Sequence, residues 1–165
     1  MLMASALVLF MTPGLAFFYG GLVRGKNVVN TVMYSFVSMG VVSVVWVLWG
    51  YSLAFGEGGP FIGNFDFLGF KGVSSTGTDI HGAGTPDMAV AIFQMMFAII
   101  TPALITGAIA ERFKFTTYLV FLVAWITFVY APIAHWVWAG DGWLFEMGAL
   151  DFAGGTVVHI NAGIA

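Results

Sequence analysis

Long apolar runs alternate with shorter polar connections along this chain. Four runs are long enough to cross a hydrocarbon core, which takes roughly 20 residues of helix. They lie at about 1–19, 30–54, 87–110 and 115–138, and residues 151–165 start a fifth. Each is read as a helix, because a chain in lipid must satisfy its backbone polar groups internally. Pro13-Gly14 interrupts the first run, and neighbouring helices can satisfy the carbonyl that a proline frees. The second run is Val-rich and closes near Trp46, Trp49 and Tyr51, and the fourth ends in Trp136 and Trp138. Such positions are expected in the interfacial aromatic belt, which also accounts for Trp143.

The connections differ in charge. Residues 20–27 carry Arg24 and Lys26 with no acid, and 111–114 carry Arg112 and Lys114 against Glu111. The connections at about 56–86 and 139–150 hold Glu57, Asp66, Asp79, Asp141 and Glu146 against Lys71. Positive residues mark the cytoplasmic side, so loops 20–27 and 111–114 are expected to face in and the N-terminus to lie outside. Asp151 then stands at the external mouth of the fifth helix. The 56–86 connection is Gly-rich, which favours turns over regular elements, and is expected to pack as a lid over the outer surface. His81 within it reads as a solvated surface histidine, His135 as an interfacial donor, and Glu111–Arg112 as a local ion pair at a helix end.

Composition agrees with the run pattern. The chain of 165 residues is 60% hydrophobic and 8% charged, with a mean hydropathy of +0.97, against roughly 25% charged in soluble domains. The absence of cysteine excludes a disulfide framework and thiolate metal sites, and a net charge of −3 without a basic run gives no support to nucleic-acid binding. Phosphate loops, nucleophile elbows and zinc spacings are missing, so an intramembrane enzyme is not supported and no cofactor is expected. Met1 begins inside an apolar run with no charged flank, and Ala165 stops inside a helix without a cap. Both ends read as truncations of one membrane unit covering residues 1–165.

The last stretch, DFAGGTVVHINAGIA at 151–165, holds the main candidates for chemistry. If the helix starts at Asp151, His159 lies about 12 Å below it, close to the bilayer midplane. An ionisable group at that depth is a functional-site hypothesis by default. Asp151 either attracts a cation or caps the helix through the amides of Ala153 and Gly154, and capping is the preferred reading. Gly154 and Gly155 are read as allowing another helix to approach, and Asn161 as a hydrogen bond between helices. His159 serves equally well as a core histidine bonded to a neighbouring helix. In the third run Phe93 and Phe97 share one helix face beside Gln94, either packing or lining a constriction where rings can bind a cation.

Five strings go further: PGLAFFYGGLVRGKN (13–27), GYSLAFGEG (50–58), GAIAERFKF (107–115), PIAHWVW (132–138) and DFAGGTVVHINAGIA (151–165). Together they resemble the ammonium transporter family (Amt/MEP, related to the Rh proteins) over essentially the whole chain. The resemblance implies an all-α membrane protein, a polytopic helical bundle forming the first five-helix inverted repeat of an eleven-span fold. It further implies a cell-membrane homotrimer that carries ammonium or ammonia, with one pore per subunit and a PII-type regulator as a candidate partner at the cytoplasmic face. By that resemblance Trp138 and Phe97 wall an external cation site, with Phe93 and Gln94 beside it, and Phe97 also belongs to an aromatic gate. Asp151 organises the site, the carbonyl of Ala153 touches the cation, and His159 is the first of two pore histidines. The second histidine, a second gate phenylalanine and a hydroxyl partner would come from the other repeat. Two alternatives remain: an ammonium sensor built on a transporter-like domain, and an Rh-type gas channel. Trp138 fits the Amt/MEP branch better than the Rh branch.

Overall fold

The computed structural model describes residues 1–78, 80 and 84–165, so the sequence readings of Asp79 and His81 lie outside the described residues. Among the described residues the fold is all helical. Helix α1 runs Leu2–Gly20, and α2, Val28–Val45, continues through a π-helical stretch, Trp46–Gly50, into α3, Tyr51–Phe55. Helix α4 is Asp87–Ile109, and α5, Phe115–Trp125, passes through a second π-helical stretch, Ile126–Tyr130, into α6, Ala131–Trp138. The short α7, Trp143–Glu146, precedes a third π-helical stretch, Gly155–Ile160, and α8, Asn161–Ile164. Helices therefore occupy the first four apolar runs, and each is long and apolar enough to cross a membrane. The wide turns inside the second and fourth were not expected from the apolar pattern.

Helix α1 packs on α2 and α4, α2 on α5, α3 on α6, and α8 on α4. Several polar side chains in this bundle bond to nearby backbone carbonyls, the partners at hand where no water is available at depth. Ser43, Thr101 and Thr127 donate to the carbonyls of Met39, Phe97 and Val123 one turn earlier, at 2.5, 2.6 and 2.7 Å. Tyrosines tie helices together: Tyr19 Oη donates to the Leu104 carbonyl at 2.9 Å and Tyr34 Oη to that of Phe113 at 2.6 Å. The outward surface is apolar, with Phe10, Phe17, Val120 and Phe128 all exposed. An apolar exterior is the arrangement that lipid demands.

Several aromatic assignments change. Trp46 and Tyr51 are fully buried rather than interfacial; they meet edge to face at 6.0 Å, and Trp46 Nε1 donates to the Ala91 carbonyl at 3.1 Å. Trp49 Nε1 donates to Thr127 Oγ1 at 2.9 Å, joining the second span to the fourth. In a bundle whose exterior is as apolar as its core, an aromatic residue gains as much from a neighbouring helix as from a headgroup.

The four connections meet in two pairs, as their charges suggest. At the basic end Arg24 Nη2 bonds Glu111 Oε2 at 2.8 Å, and Asn27 Nδ2 donates to Glu111 Oε1 at 2.5 Å. The expected Glu111–Arg112 pair is not formed; Arg112 instead donates to the Ala108 carbonyl at 3.3 Å. Glu111 sits at φ +65°, a left-handed conformation uncommon for a residue with a side chain. At the acidic end Trp143 N donates to the Pro60 carbonyl at 3.1 Å and Trp136 Nε1 to that of Phe61 at 2.6 Å. Among its described residues the 56–86 connection is mostly turns, with a 3₁₀ turn at Leu68–Phe70, and it sets Phe67 and Phe70 against Tyr51 at 5.8 and 5.4 Å. His135 is wholly buried, not interfacial, and its ring holds this loop against α6.

Candidate pore and cation site

Asp151 lies at the acidic end, in the turn that leads into the last helix. Its Oδ1 accepts from the amides of Gly154 and Gly155 at 2.6 and 2.8 Å, and its Oδ2 from those of Thr156 and Val157 at 2.8 and 3.0 Å. These are the N–H groups that a helix start leaves without partners. Capping is therefore observed, but one residue further along than expected, and Ala153 takes no part through its amide. Burial works against the charge, yet the four amide donors outweigh it and hold the carboxyl below its usual range.

The helix does not begin at Asp151. Gly154 sits at φ +82°, and the π-helical turn opens at Gly155, only four residues before His159. That corrects the expected depth from about 12 Å to roughly 6 Å of helix. A Cβ on Gly154 would meet Val158 Cγ2 at 2.6 Å, so the conformation of the turn, not the approach of another helix, explains this glycine. Asn161 bonds within its own helix, Nδ2 to the Val157 carbonyl at 3.2 Å, rather than between helices.

The aromatic candidates come together. Phe93 and Phe97 meet edge to face at 5.0 Å, and Phe97 meets Trp138 at 5.8 Å. Trp138 Nε1 donates to the Asp151 carbonyl at 2.9 Å, so one residue fixes both the indole and the helix start. A cavity of about 340 Å³ is lined by Phe97, Ala153 and His159 together with Gly14 and Phe18 of α1. Gln94 is not among its lining residues; its Oε1 is buried and makes no hydrogen bond among the described residues. His159 is exposed on this chain rather than packed in a core. Its Nδ1 lies 3.1 Å from the Gly154 carbonyl, an acceptor only, so an Nδ1–H is the donor in that contact.

The contribution of α1 was missed by sequence reading. Gly14 has nothing within 4 Å of where a Cβ would stand, so the space beside it is left to the cavity. The Pro13-Gly14 pair was the available signal, read as a helix interruption only.

The family described as Ammonium Transporter Family matches residues 1–165. The chain belongs to the ammonium transporter family. An ammonium transporter of Bacillus subtilis (strain 168) is 52% identical over 165 residues, covering 100% of this chain and 40% of its own length. The crystal structure of Candida albicans Mep2 matches 98% of the chain, and 35% of Mep2, with a TM-score of 0.89 and 40% identity. A solved structure named Sensor Amt Protein matches 95% of this chain and 39% of its own at a TM-score of 0.84 and 30% identity. The chain thus spans about 40% of the length of the curated relatives it matches. The all-helical membrane bundle implied by the five sequence strings is borne out by these likenesses.

Proposed function

We propose that this chain forms part of a transmembrane path for ammonium or ammonia, in a cell-membrane protein whose N-terminus and acidic end face outward. The observation that carries the reading is the cavity shared by Phe97, Ala153 and His159, whose Phe97 ring also meets that of Trp138. The cation is recruited against the Trp138 and Phe97 rings, where the quadrupole of an aromatic face attracts it. Asp151 organises that site through its four amide bonds rather than as a ligand, and the Ala153 carbonyl faces the path. Farther in the lining is apolar, and carrying a bare charge through low dielectric costs many kcal/mol, so loss of a proton is the cheaper route. Ammonia then passes His159, whose Nε2 accepts a hydrogen bond. Potassium has no proton to lose, and the same passage therefore rejects it.

The resemblance extends this proposal to an eleven-span homotrimer whose second repeat supplies the opposite wall, and to a PII-type regulator at the basic end. Family membership, with 52% identity to a relative named an ammonium transporter, supports transport over a sensing role, which rests on likeness to the Sensor Amt Protein at 30%. The test is uptake of methylammonium by cells expressing the protein with His159→Ala. Altered uptake or weakened discrimination against potassium is expected. Unchanged uptake with unchanged discrimination would remove the histidine from the mechanism.

A further inference from the structure

His135 presents a hydrogen-bond arrangement that the transport path does not use. The side chain is completely buried near the acidic end of α6. Its Nδ1 lies 3.0 Å from the Ala54 carbonyl and its Nε2 2.6 Å from the Gly59 carbonyl. Backbone carbonyls only accept, whereas a neutral imidazole has one donor and one lone pair. Either neutral tautomer would aim a lone pair at a carbonyl oxygen inside the protein, a buried clash of acceptors. Turning the ring by half a revolution does not help, since it sets ring carbons against both carbonyls. Both contacts are hydrogen bonds only when both nitrogens carry protons.

A compensating charge stands beside the ring. Asp141 Oδ1 is 3.6 Å from His135 Nε2, while its Oδ2 accepts the Gly59 amide at 3.1 Å. Gly59 is therefore held at both its polar groups, its carbonyl by the histidine and its amide by the aspartate. A cavity of about 540 Å³ next to this pair is lined by Glu57, Asp141 and Glu146 and contains no lysine or arginine. Of the elements packed against α6, the α3 stretch carries Tyr51, the preceding π-helical stretch carries Tyr130, α7 carries Glu146, and the last π-helical stretch is capped by Asp151. The last π-helical stretch also carries His159, and the carboxylates of this set, Glu146 and Asp151, are its acidic members.

We propose that His135 is a buried imidazolium, paired with Asp141, that staples the start of the 56–86 connection to the end of α6. Its function is positional: three residues beyond it, α6 ends at Trp138, and the staple fixes where that end lies. The inference rests on donor and acceptor geometry and does not depend on what the protein carries.

The test is ¹⁵N NMR of the protein labelled at histidine, in lipid bilayers near neutral pH, with the His135 signals assigned by their loss in His135→Gln. The expected spectrum has both ring nitrogens of His135 protonated and coupled to hydrogen. A neutral-ring pattern, one protonated nitrogen and one bare, would overturn the proposal. Where His135→Gln does not fold, Asp141→Asn assigns the same signals and supplies a second readout. Removing the counter-charge is expected to leave the ring with one proton at the same pH. A doubly protonated ring in Asp141→Asn would rule out Asp141 as its partner.

Discussion

Trp138 and Asp151 are joined through the backbone oxygen of the acid, not through its carboxylate: the indole N–H donates to the Asp151 carbonyl at 2.9 Å. The carboxylate meanwhile turns to the helix start and collects four amides. The negative charge is thus spent on local structure, and what Trp138 receives is a fixed position.

Asp151→Ala is expected to loosen the last helix. Loss of a charged cap costs about 1–2 kcal/mol, at the lower end where solvent screens the group. Thermal unfolding in detergent should show a lower Tm. The pH dependence follows from the depressed carboxyl of the folded state. Its stabilisation is fully present above the unfolded value near 3.8 and is lost as pH falls through the lower, folded one. A Tm difference between native and Asp151→Ala protein that persists undiminished below that range would contradict the capping account.

At the basic end, hydrogen bonds from Arg24 and then Asn27 hold the Glu111 carboxyl at about 2 against an ordinary 4.5. The stabilisation they provide is therefore expected above pH 4.5 and lost as pH falls toward about 2. Arg24→Ala should return the Glu111 titration toward its ordinary value. Carbon-detected NMR of labelled glutamate measures this directly, and an unmoved titration would show that Arg24 is not the cause.

The two adjacent glycines of the turn should respond differently to one added methyl. Gly154→Ala forces an L-residue into a left-handed conformation and against Val158 at 2.6 Å, a combined cost of about 2–4 kcal/mol. At Gly155 the nearest atom to a new Cβ is Asp151 Oδ1 at 4.0 Å, and alanine should be tolerated there. Comparison of the two Tm values decides the matter. Equal losses would mean that the space beside the helix, rather than the φ of Gly154, governs this pair.

Trp138→Leu removes one aromatic face of the proposed cation site. A cation–π contact of about 1–2 kcal/mol corresponds to a roughly five- to thirtyfold weaker apparent affinity for methylammonium. Concentration-dependent uptake measures it. No change in affinity or rate would take the indole out of recruitment and leave it as a packing residue.

The places of the long helices, the pairing of the connections and the family were legible in the sequence, because each rests on where apolar runs, charges or motif strings fall. Which way an aromatic residue points was not. Trp46 and Trp136 both sit near the ends of apolar runs, yet one is fully buried and the other holds the loop at Phe61. In a soluble helix a polar face would separate such cases, but here both faces are apolar and the periodic signal vanishes. The Arg24–Glu111 pair was hidden for another reason: its partners lie 87 positions apart, while the sequence offers Arg112 next door. His135 was misjudged because its ring partners are carbonyls of α3 and of the loop that follows it, far away in sequence, and carbonyls leave no trace in residue identity.

The π-helical stretch Ile126–Tyr130 has an effect beyond its own five residues. A π-turn accommodates one residue more than an α-turn, and one residue corresponds to about 100° of rotation around the helix axis. Everything after Tyr130 is therefore advanced in angular phase relative to α5, and that phase aims Trp138 at Phe97. Deleting a single residue from the stretch would preserve a continuous, equally hydrophobic span of ordinary α-helix. It would also swing the indole about a quarter turn away from its partner, so the wide turn acts as a rotational setting that neither composition nor hydropathy registers.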